Sequence, residues 1–280
     1  MKFTKMHGLG NDFLVIDGEK ELPEYASSLA VKWCNRYFGA GADGLVFILP
    51  SERADFQMRI FNSDGTEAEQ CGNAIRCVCK YVYEKGYIDR RKVSIETLGA
   101  GVQLAELKTD SGAVSSVRID MGEPILRGRA VPTTLEASPV LDWPLEVSGQ
   151  RFRFTAVSMG NPHCVIYVED AAVFDLYKWG PMLEEHPIFP QKTNVEFATV
   201  TARDRVEMRV WERGAGSTLA CGTGACATLV ASVLHGYTDR AAWIGLAGGD
   251  LYVEWSETDN HVYMSGPAET VYEGRIGQLR

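Results

Sequence analysis

Long hydrophobic runs are missing from this chain. The longest strongly apolar stretch, Ala225 to Leu234, is too short to cross a bilayer and is interrupted by Thr228 and Ser232. The first residues carry Lys2 and Lys5 but run directly into Gly8, Gly10, Asn11 and Asp12, so they lack the apolar centre of a secretory signal. A cytoplasmic protein with no membrane partner is expected. Clustered positive charge is missing as well: 28 Lys and Arg stand against 37 Asp and Glu, a formal net charge of -9. Binding along a phosphate backbone needs a concentrated positive field, so no nucleic-acid partner is expected. Low-complexity tracts are absent, and 45% apolar residues with 23% charged is the balance of a globular chain. At 280 residues, two domains with separate cores are the natural division.

Metal and redox signatures are also lacking. The seven cysteines are odd in number and follow no leader, which fits free thiols better than a disulfide framework. The spacings of Cys71, Cys77 and Cys79, and of Cys221 and Cys226, contain no Cys-x-x-Cys pair, and there is no His-Glu-x-x-His run. No metal is expected. Gly39, Gly41 and Gly44 satisfy the spacing of a dinucleotide loop, but they precede a predicted strand instead of following one into a helix, so that reading is discarded.

What is present is a repeat. Shifting the chain by 150 positions, the distance from Cys71 to Cys221, superposes many unlike residues without an insertion. Gly10-Asn11 falls on Gly160-Asn161 and Val15-Ile16 on Val165-Ile166. Phe47, Arg53 and Met58-Arg59 meet Phe197, Arg203 and Met208-Arg209. Cys71-Gly72 meets Cys221-Gly222, Gly86-Tyr87 meets Gly236-Tyr237, and Asp89-Arg90 meets Asp239-Arg240. Chance accounts for matching Val, Ile or Arg. It does not account for two rare cysteines, each followed by Gly, between the same strand pattern and the same Gly-Tyr.

The fold class read from this is α+β: two pseudo-symmetric domains, residues 1–120 and 121–265, with a tail at 266–280 free to return to either. The first half predicts strands at 12–17, 45–49, 56–61, 93–97, 102–107 and 114–120, with helices at 25–38 and 72–85. Gly86 and Gly236 are stop signals for the helices that follow the two cysteines. The second of these is apolar on nearly every face, so each domain is expected to curl a mixed sheet or barrel around a central helix.

Cys71 and Cys221 each sit where a polar loop enters a helix, among backbone N–H groups without intrahelical partners and at the positive end of the helix dipole. A thiol there is expected to ionise below its reference value of about 8.5, and the same N–H groups can hold a carboxylate. Two such thiols on opposite faces of one planar carbanion are what inversion at an amino-acid α-carbon requires: one base to remove the proton and one acid to return it from the other side. Donors aimed at the substrate carboxylate would lower the barrier as charge develops. Cys34, Cys77, Cys79, Cys164 and Cys226 read as buried and inert.

The runs Gly8-Leu9-Gly10-Asn11-Asp12-Phe13, Phe61-Asn62-Ser63-Asp64-Gly65 with Cys71-Gly72-Asn73, Gly160-Asn161-Pro162-His163, Thr193-Asn194-Val195-Glu196, and Trp211-Glu212-Arg213-Gly214 with Ala220-Cys221-Gly222-Thr223-Gly224-Ala225 together resemble the diaminopimelate epimerase family. The resemblance implies conversion of LL-2,6-diaminoheptanedioate to the meso form, in lysine and peptidoglycan precursor synthesis, with no pyridoxal phosphate or other cofactor. It implies a homodimer whose domains close over the substrate. It also implies that Cys71 and Cys221 are the acid/base pair, Cys71 taking the proton from the L centre, with His163 tuning Cys71 and Glu212 tuning Cys221. Asn11, Asn62, Asn161, Asn194, Glu212 and Arg213 would bind the substrate, and the backbone of Gly72-Asn73 and Gly222-Thr223 would hold its reacting carboxylate. The sequence departs from the family's commonest pattern at Gly44, where some members carry a substrate-contacting Gln, at Ala74 and at Ser217. A proline or hydroxyproline racemase on the same scaffold is the alternative, and the polar residues beyond the reacting centre argue against it.

Overall fold

The computed structural model describes residues 1–18, 20–69, 71–99 and 101–277. The chain divides into two compact units, Met1–Ile119 with Ser265–Arg280, and Asp120–Met264. Residues 278–280 of the predicted tail lie outside the described residues.

In the first unit, strands follow one another across a mixed sheet in the order Glu269–Arg275, Lys2–Gly8, Asn11–Ile16, Gly44–Leu49, Phe56–Asn62, Lys92–Thr97, Gly101–Asp110 and Ala113–Asp120. Helix α1 (Ala26–Trp33) joins two of them, and helix α2 (Gly72–Glu84) runs through the middle. In the second unit the order is Trp143–Val147, Gln150–Ser158, Pro162–Tyr167, Asn194–Ala202, Arg205–Glu212, Ala241–Leu246 and Gly249–Trp255. Helices α3 (Leu176–Glu184) and α4 (Gly222–Leu234) occupy the corresponding places.

The repeat extends to the register of pairing. Phe13 lies opposite Gly44 in a parallel pair, and His163 lies opposite Asn194 in another. Leu45 faces Phe61 across an antiparallel pair, and Val195 faces Trp211. Each of these second pairs is the first moved by 150 positions. A slip of one residue would turn every side chain to the opposite face, so this shared register presents equivalent positions on the same side in both units.

Why the sheets curl is legible in α4. Its Gly224, Ala225, Ala227, Ala231 and Ser232 are small enough for strands to approach on all sides, and it packs against Gln150–Ser158, Pro162–Tyr167, Asn194–Ala202, Arg205–Glu212, Ala241–Leu246 and Gly249–Trp255. Leu229 and Val230 are fully buried there, and each contributes about 2 kcal/mol through removal of apolar surface from water. Both central helices stop in the same way. Gly86 and Gly236 take positive φ (74° and 71°), and Tyr87 and Tyr237 donate back to the carbonyls of Val82 and Ser232 at 2.9 Å.

Helix α1 is shorter than its sequence suggests. It ends at Trp33, because Asn35 offers its Oδ1 to the N–H groups of Tyr37 and Phe38 at 2.9 and 2.8 Å and turns the chain out of the helix. Tyr37 and Phe38 are left 90% exposed. Among the described residues no helix is long and apolar enough to cross a membrane.

Candidate active site

Each unit has a helix start headed by one of the two candidate cysteines. In the first, Cys71 precedes α2 in extended conformation, with Gly72 and Asn73 opening the helix. The amide of Asn11, at the start of its strand, reaches this corner. Its Oδ1 accepts from Asn73 Nδ2 at 3.0 Å and lies 3.8 Å from the Cys71 sulfur, while its Nδ2 donates to Asp43 at 2.9 Å. Asp43 thereby fixes which end of the Asn11 amide faces the thiol. Behind Asn73 lies Arg76, fully buried, donating to Asn73 Oδ1 at 2.9 Å and to the Pro267 carbonyl at 3.0 Å.

Asn62 closes its strand beside this corner and is exposed, its side chain donating to Thr66 at 3.0 Å within the turn that follows. At Gly44, opposite Asn62 in register, a Cβ would stand 3.0 Å from the Phe61 carbonyl and 3.4 Å from the Phe13 ring. The glycine fits a strand pair drawn close at that point, and a Gln there would require the pair to open by a few tenths of an ångström.

In the second unit Cys221 precedes α4 as Cys71 precedes α2, but its surroundings are ionic. Thr223 places its hydroxyl 3.6 Å from the sulfur, and Asn161, the repeat counterpart of Asn11, donates to that hydroxyl at 3.2 Å. His163 is fully buried, with Nε2 against Asn161 Oδ1 at 3.0 Å and Nδ1 against the carboxylate of Glu196 at 2.7 Å. Glu212 is held by the Thr218 hydroxyl. Burial pushes its carboxyl up, against the lowering effect of hydrogen bonds from Thr218 and Cys221.

Cys221 overturns the expectation of an easily ionised thiol. Burial pushes it well above the ordinary thiol value, and the charges of Glu212 and Glu196 push in the same direction. The Thr223 hydroxyl and the Gly224 N–H pull it down without prevailing. The helix start is worth at most about 2 kcal/mol to an anion; desolvation of a fully buried one, next to two carboxylates, is larger. These surroundings favour the protonated thiol at Cys221.

Asn194 is buried, and both ends of its amide meet backbone: Oδ1 accepts from the Arg213 N–H at 2.9 Å and Nδ2 donates to the Pro162 carbonyl at 2.8 Å. It ties the strand that carries His163 to the turn that carries Glu212 and Arg213. The Arg213 guanidinium is exposed and touches only the Gln191 carbonyl, at 3.3 Å, among the bonds of the described residues. Glu184 of α3 holds the same turn from behind, accepting from Trp211 Nε1 at 2.8 Å and from the Gly214 N–H at 2.9 Å.

Glu196, Arg76, Asp43 and Glu184 were not singled out from the sequence. Glu196 and Arg76 did leave a signal: each is a charged residue at an otherwise apolar, inward position, Glu196 between Val195 and Phe197 in a buried strand, Arg76 between Ile75 and Cys77 on a buried helix. Among the described residues there is no group of three or more His, Cys, Asp or Glu that could hold a metal ion.

A profile of the diaminopimelate epimerase family matches residues 3–126 and 155–271. Similar proteins named diaminopimelate epimerase include one from Pelotomaculum thermopropionicum, 56% identical over 276 residues and covering 98% of both chains. Another from Acetivibrio thermocellus is 54% identical over 276 residues, covering 99% of this chain and 98% of its own. Among solved structures, a probable proline racemase from Agrobacterium radiobacter shares the fold at a TM-score of 0.74 and 17% identity, covering 99% of this chain and 93% of its own. A hydroxyproline epimerase from Agrobacterium vitis does so at 0.71 and 18%, covering 99% and 90%. With a family profile over most of its residues and relatives more than half identical along nearly all of its length, the chain belongs to the diaminopimelate epimerase family and is an isomerase.

Proposed function

We propose that this enzyme inverts one α-carbon of LL-2,6-diaminoheptanedioate to give the meso isomer, with Cys71 and Cys221 as its two acid/base groups and without pyridoxal phosphate. The observation that carries the reading is the duplicated helix start: the same backbone, 150 positions apart, presents a cysteine twice. In the LL-to-meso direction Cys71, as thiolate, removes the α-proton. Cys221, which burial and its two carboxylate neighbours keep protonated, delivers its own proton to the opposite face and becomes the thiolate. The reverse direction exchanges the roles, and the proton count is unchanged by a full turnover.

The N–H groups of Gly72-Asn73 and Gly222-Thr223 hold the carboxylate at the reacting carbon, where charge builds up as the proton leaves. Asn11, Asn62, Asn161, Asn194 and Arg213 serve the distal amine and carboxylate, groups that proline lacks. The exposed Arg213 guanidinium supplies the cation for that second carboxylate. Glu212 tunes Cys221, while His163, which the resemblance assigns to Cys71, is bonded to Glu196 and Asn161 in the second unit. The enzyme acts in the cytoplasm as a homodimer, which light scattering on the purified protein tests directly.

Incubation of LL-diaminopimelate in deuterium oxide is expected to place deuterium at the inverted α-carbon. Cys71→Ser and Cys221→Ser are each expected to lose at least about a hundredfold in turnover, the scale of one acid or base. Full epimerisation by either variant overturns the assignment.

A further inference from the structure

The ionic surroundings of Cys221 form a chain of hydrogen bonds rather than a cluster. Glu196 Oε1 meets His163 Nδ1 at 2.7 Å, His163 Nε2 meets Asn161 Oδ1 at 3.0 Å, Asn161 Nδ2 meets Thr223 Oγ1 at 3.2 Å, and Thr223 Oγ1 stands 3.6 Å from the Cys221 sulfur. Glu196 and His163 are both without solvent exposure, and Glu196 Oε2 has no hydrogen-bond partner among the described residues. His163 is the side chain that meets this buried carboxyl. Glu212 is a further carboxylate whose charge bears on Cys221.

Every link in this chain can run in two directions. When His163 Nε2 carries hydrogen, it donates to Asn161 Oδ1. Asn161 Nδ2 then donates to the Thr223 oxygen, and the Thr223 hydroxyl is left to donate to sulfur, which favours the thiolate. When Nε2 carries none, Nδ1–H points at Glu196 and Nε2 is an acceptor. The Asn161 amide turns over to donate to it, its oxygen then takes the Thr223 hydrogen, and the sulfur no longer receives a hydrogen bond from Thr223, which favours the thiol. An amide and a hydroxyl are the two group types able to reverse in this way, since each both donates and accepts.

We propose that Glu196, acting through His163, Asn161 and Thr223, is a positioning residue that sets the direction of this chain, and with it whether the Thr223 hydroxyl donates to the Cys221 sulfur. The inference rests on Cys221 being the acid/base thiol of the reaction, but it concerns the free protein and is tested without turnover. Within the repeat the device is one-sided. Val46 stands at the position of Glu196 and Phe13 at that of His163, so the first unit has no counterpart.

The test is the rate of Cys221 alkylation by iodoacetamide, read by peptide mass. It is expressed as the ratio of the rate at neutral pH to the limiting rate at high pH, so that access to the thiol cancels. Thr223→Val is expected to lower this ratio about tenfold, the value of one hydrogen bond to an anion, while Thr223→Ser leaves it within about twofold. Glu196→Gln is expected to lower it severalfold with Thr223 in place and to leave it unchanged or raised in the Thr223→Val background, a double-mutant cycle that removes through-space charge from the comparison. Nitrogen-15 ring shifts are expected to place hydrogen on His163 Nδ1 in the wild type and to change on Glu196→Gln. Equal effects of Glu196→Gln in both backgrounds, or loss of reactivity in Thr223→Ser equal to that in Thr223→Val, would overturn the chain. Full epimerase activity in Cys221→Ser would overturn the role of the thiol and leave the alkylation result standing.

Discussion

Gly224→Ala offers a sharp test of how tightly the second helix start is built. A Cβ at this position would lie 2.7 Å from Glu196 Oε1 and 3.3 Å from both the Cβ and the sulfur of Cys221. The carboxylate is fully enclosed and bound to His163, so it has no open side to move toward. Overpacking of this kind costs about 1–3 kcal/mol, and pulling Glu196 from His163 adds about 1.5–3 kcal/mol if the charged hydrogen bond is lost outright. Against this, alanine in place of glycine inside a helix stabilises by about 0.5–1 kcal/mol. The balance is a loss of about 1.5–5.5 kcal/mol, or roughly 3–11 °C in melting temperature at about 2 °C per kcal/mol for a chain of this size. Turnover should fall with it, because the displaced atoms are the thiol and the carboxylate beside it. The control is Ala74→Gly at the repeat position in the first unit, expected to cost no more than about 1 kcal/mol and to keep most activity. Calorimetry and a coupled epimerase assay read both variants. A Gly224→Ala protein that melts higher than wild type with full turnover would refute the packing argument, since helix propensity would then have outweighed the contact.

Other expectations follow from the same surroundings. Glu212→Gln removes one of the charges that keep Cys221 protonated; neutral-pH alkylation of Cys221 should quicken while epimerisation falls at least about tenfold, and slower alkylation would count against the electrostatic reading. Glu184→Ala strips the turn at Glu212–Gly214 of its anchor and should cost about 1–3 kcal/mol of stability with a raised KM, whereas unchanged binding would show the turn to be held by Asn194 alone. Burial raises the Asp12 carboxyl, but hydrogen bonds and charge from Arg36 and Lys5 outweigh it and hold it at about 2 against an ordinary 3.8. A depressed folded value means stability that is present above the ordinary value and lost as pH falls through the folded one. Acid destabilisation between roughly pH 4 and 2 should therefore flatten in Asp12→Asn, checked by denaturant titration across that range.

Much of this arrangement was legible beforehand because it rests on local pattern. Cys71 and Cys221 announce themselves by the matching strands before them and the matching Gly-Tyr after them, and the register Phe13–Gly44 and His163–Asn194 realises that match in space. The end of α1 was missed because it is decided by a single side chain, Asn35, competing for two N–H groups; apolar spacing continues past the point where the helix stops. The easy ionisation expected at Cys221 runs against the structure for a different reason. A helix start is visible in sequence, whereas the burial of that particular sulfur and the approach of Glu196 from a strand 25 positions earlier are tertiary facts. Glu196 and Arg76 are charges on apolar faces, a signal that went unread, and which neighbour each meets is not written in its own element.

The two helix starts share a backbone and differ in chemistry: amides gather at Cys71, while carboxylates and an imidazole gather at Cys221. A reagent that carries its own negative charge should feel that difference. Iodoacetate, compared with its neutral amide, is repelled where acids crowd the sulfur and much less where carboxamides do, so the ratio of the two labelling rates would tell the cysteines apart without mutation. Inhibitors with an electrophilic end can be steered by the same principle, an anionic warhead toward residue 71 and an uncharged one toward residue 221.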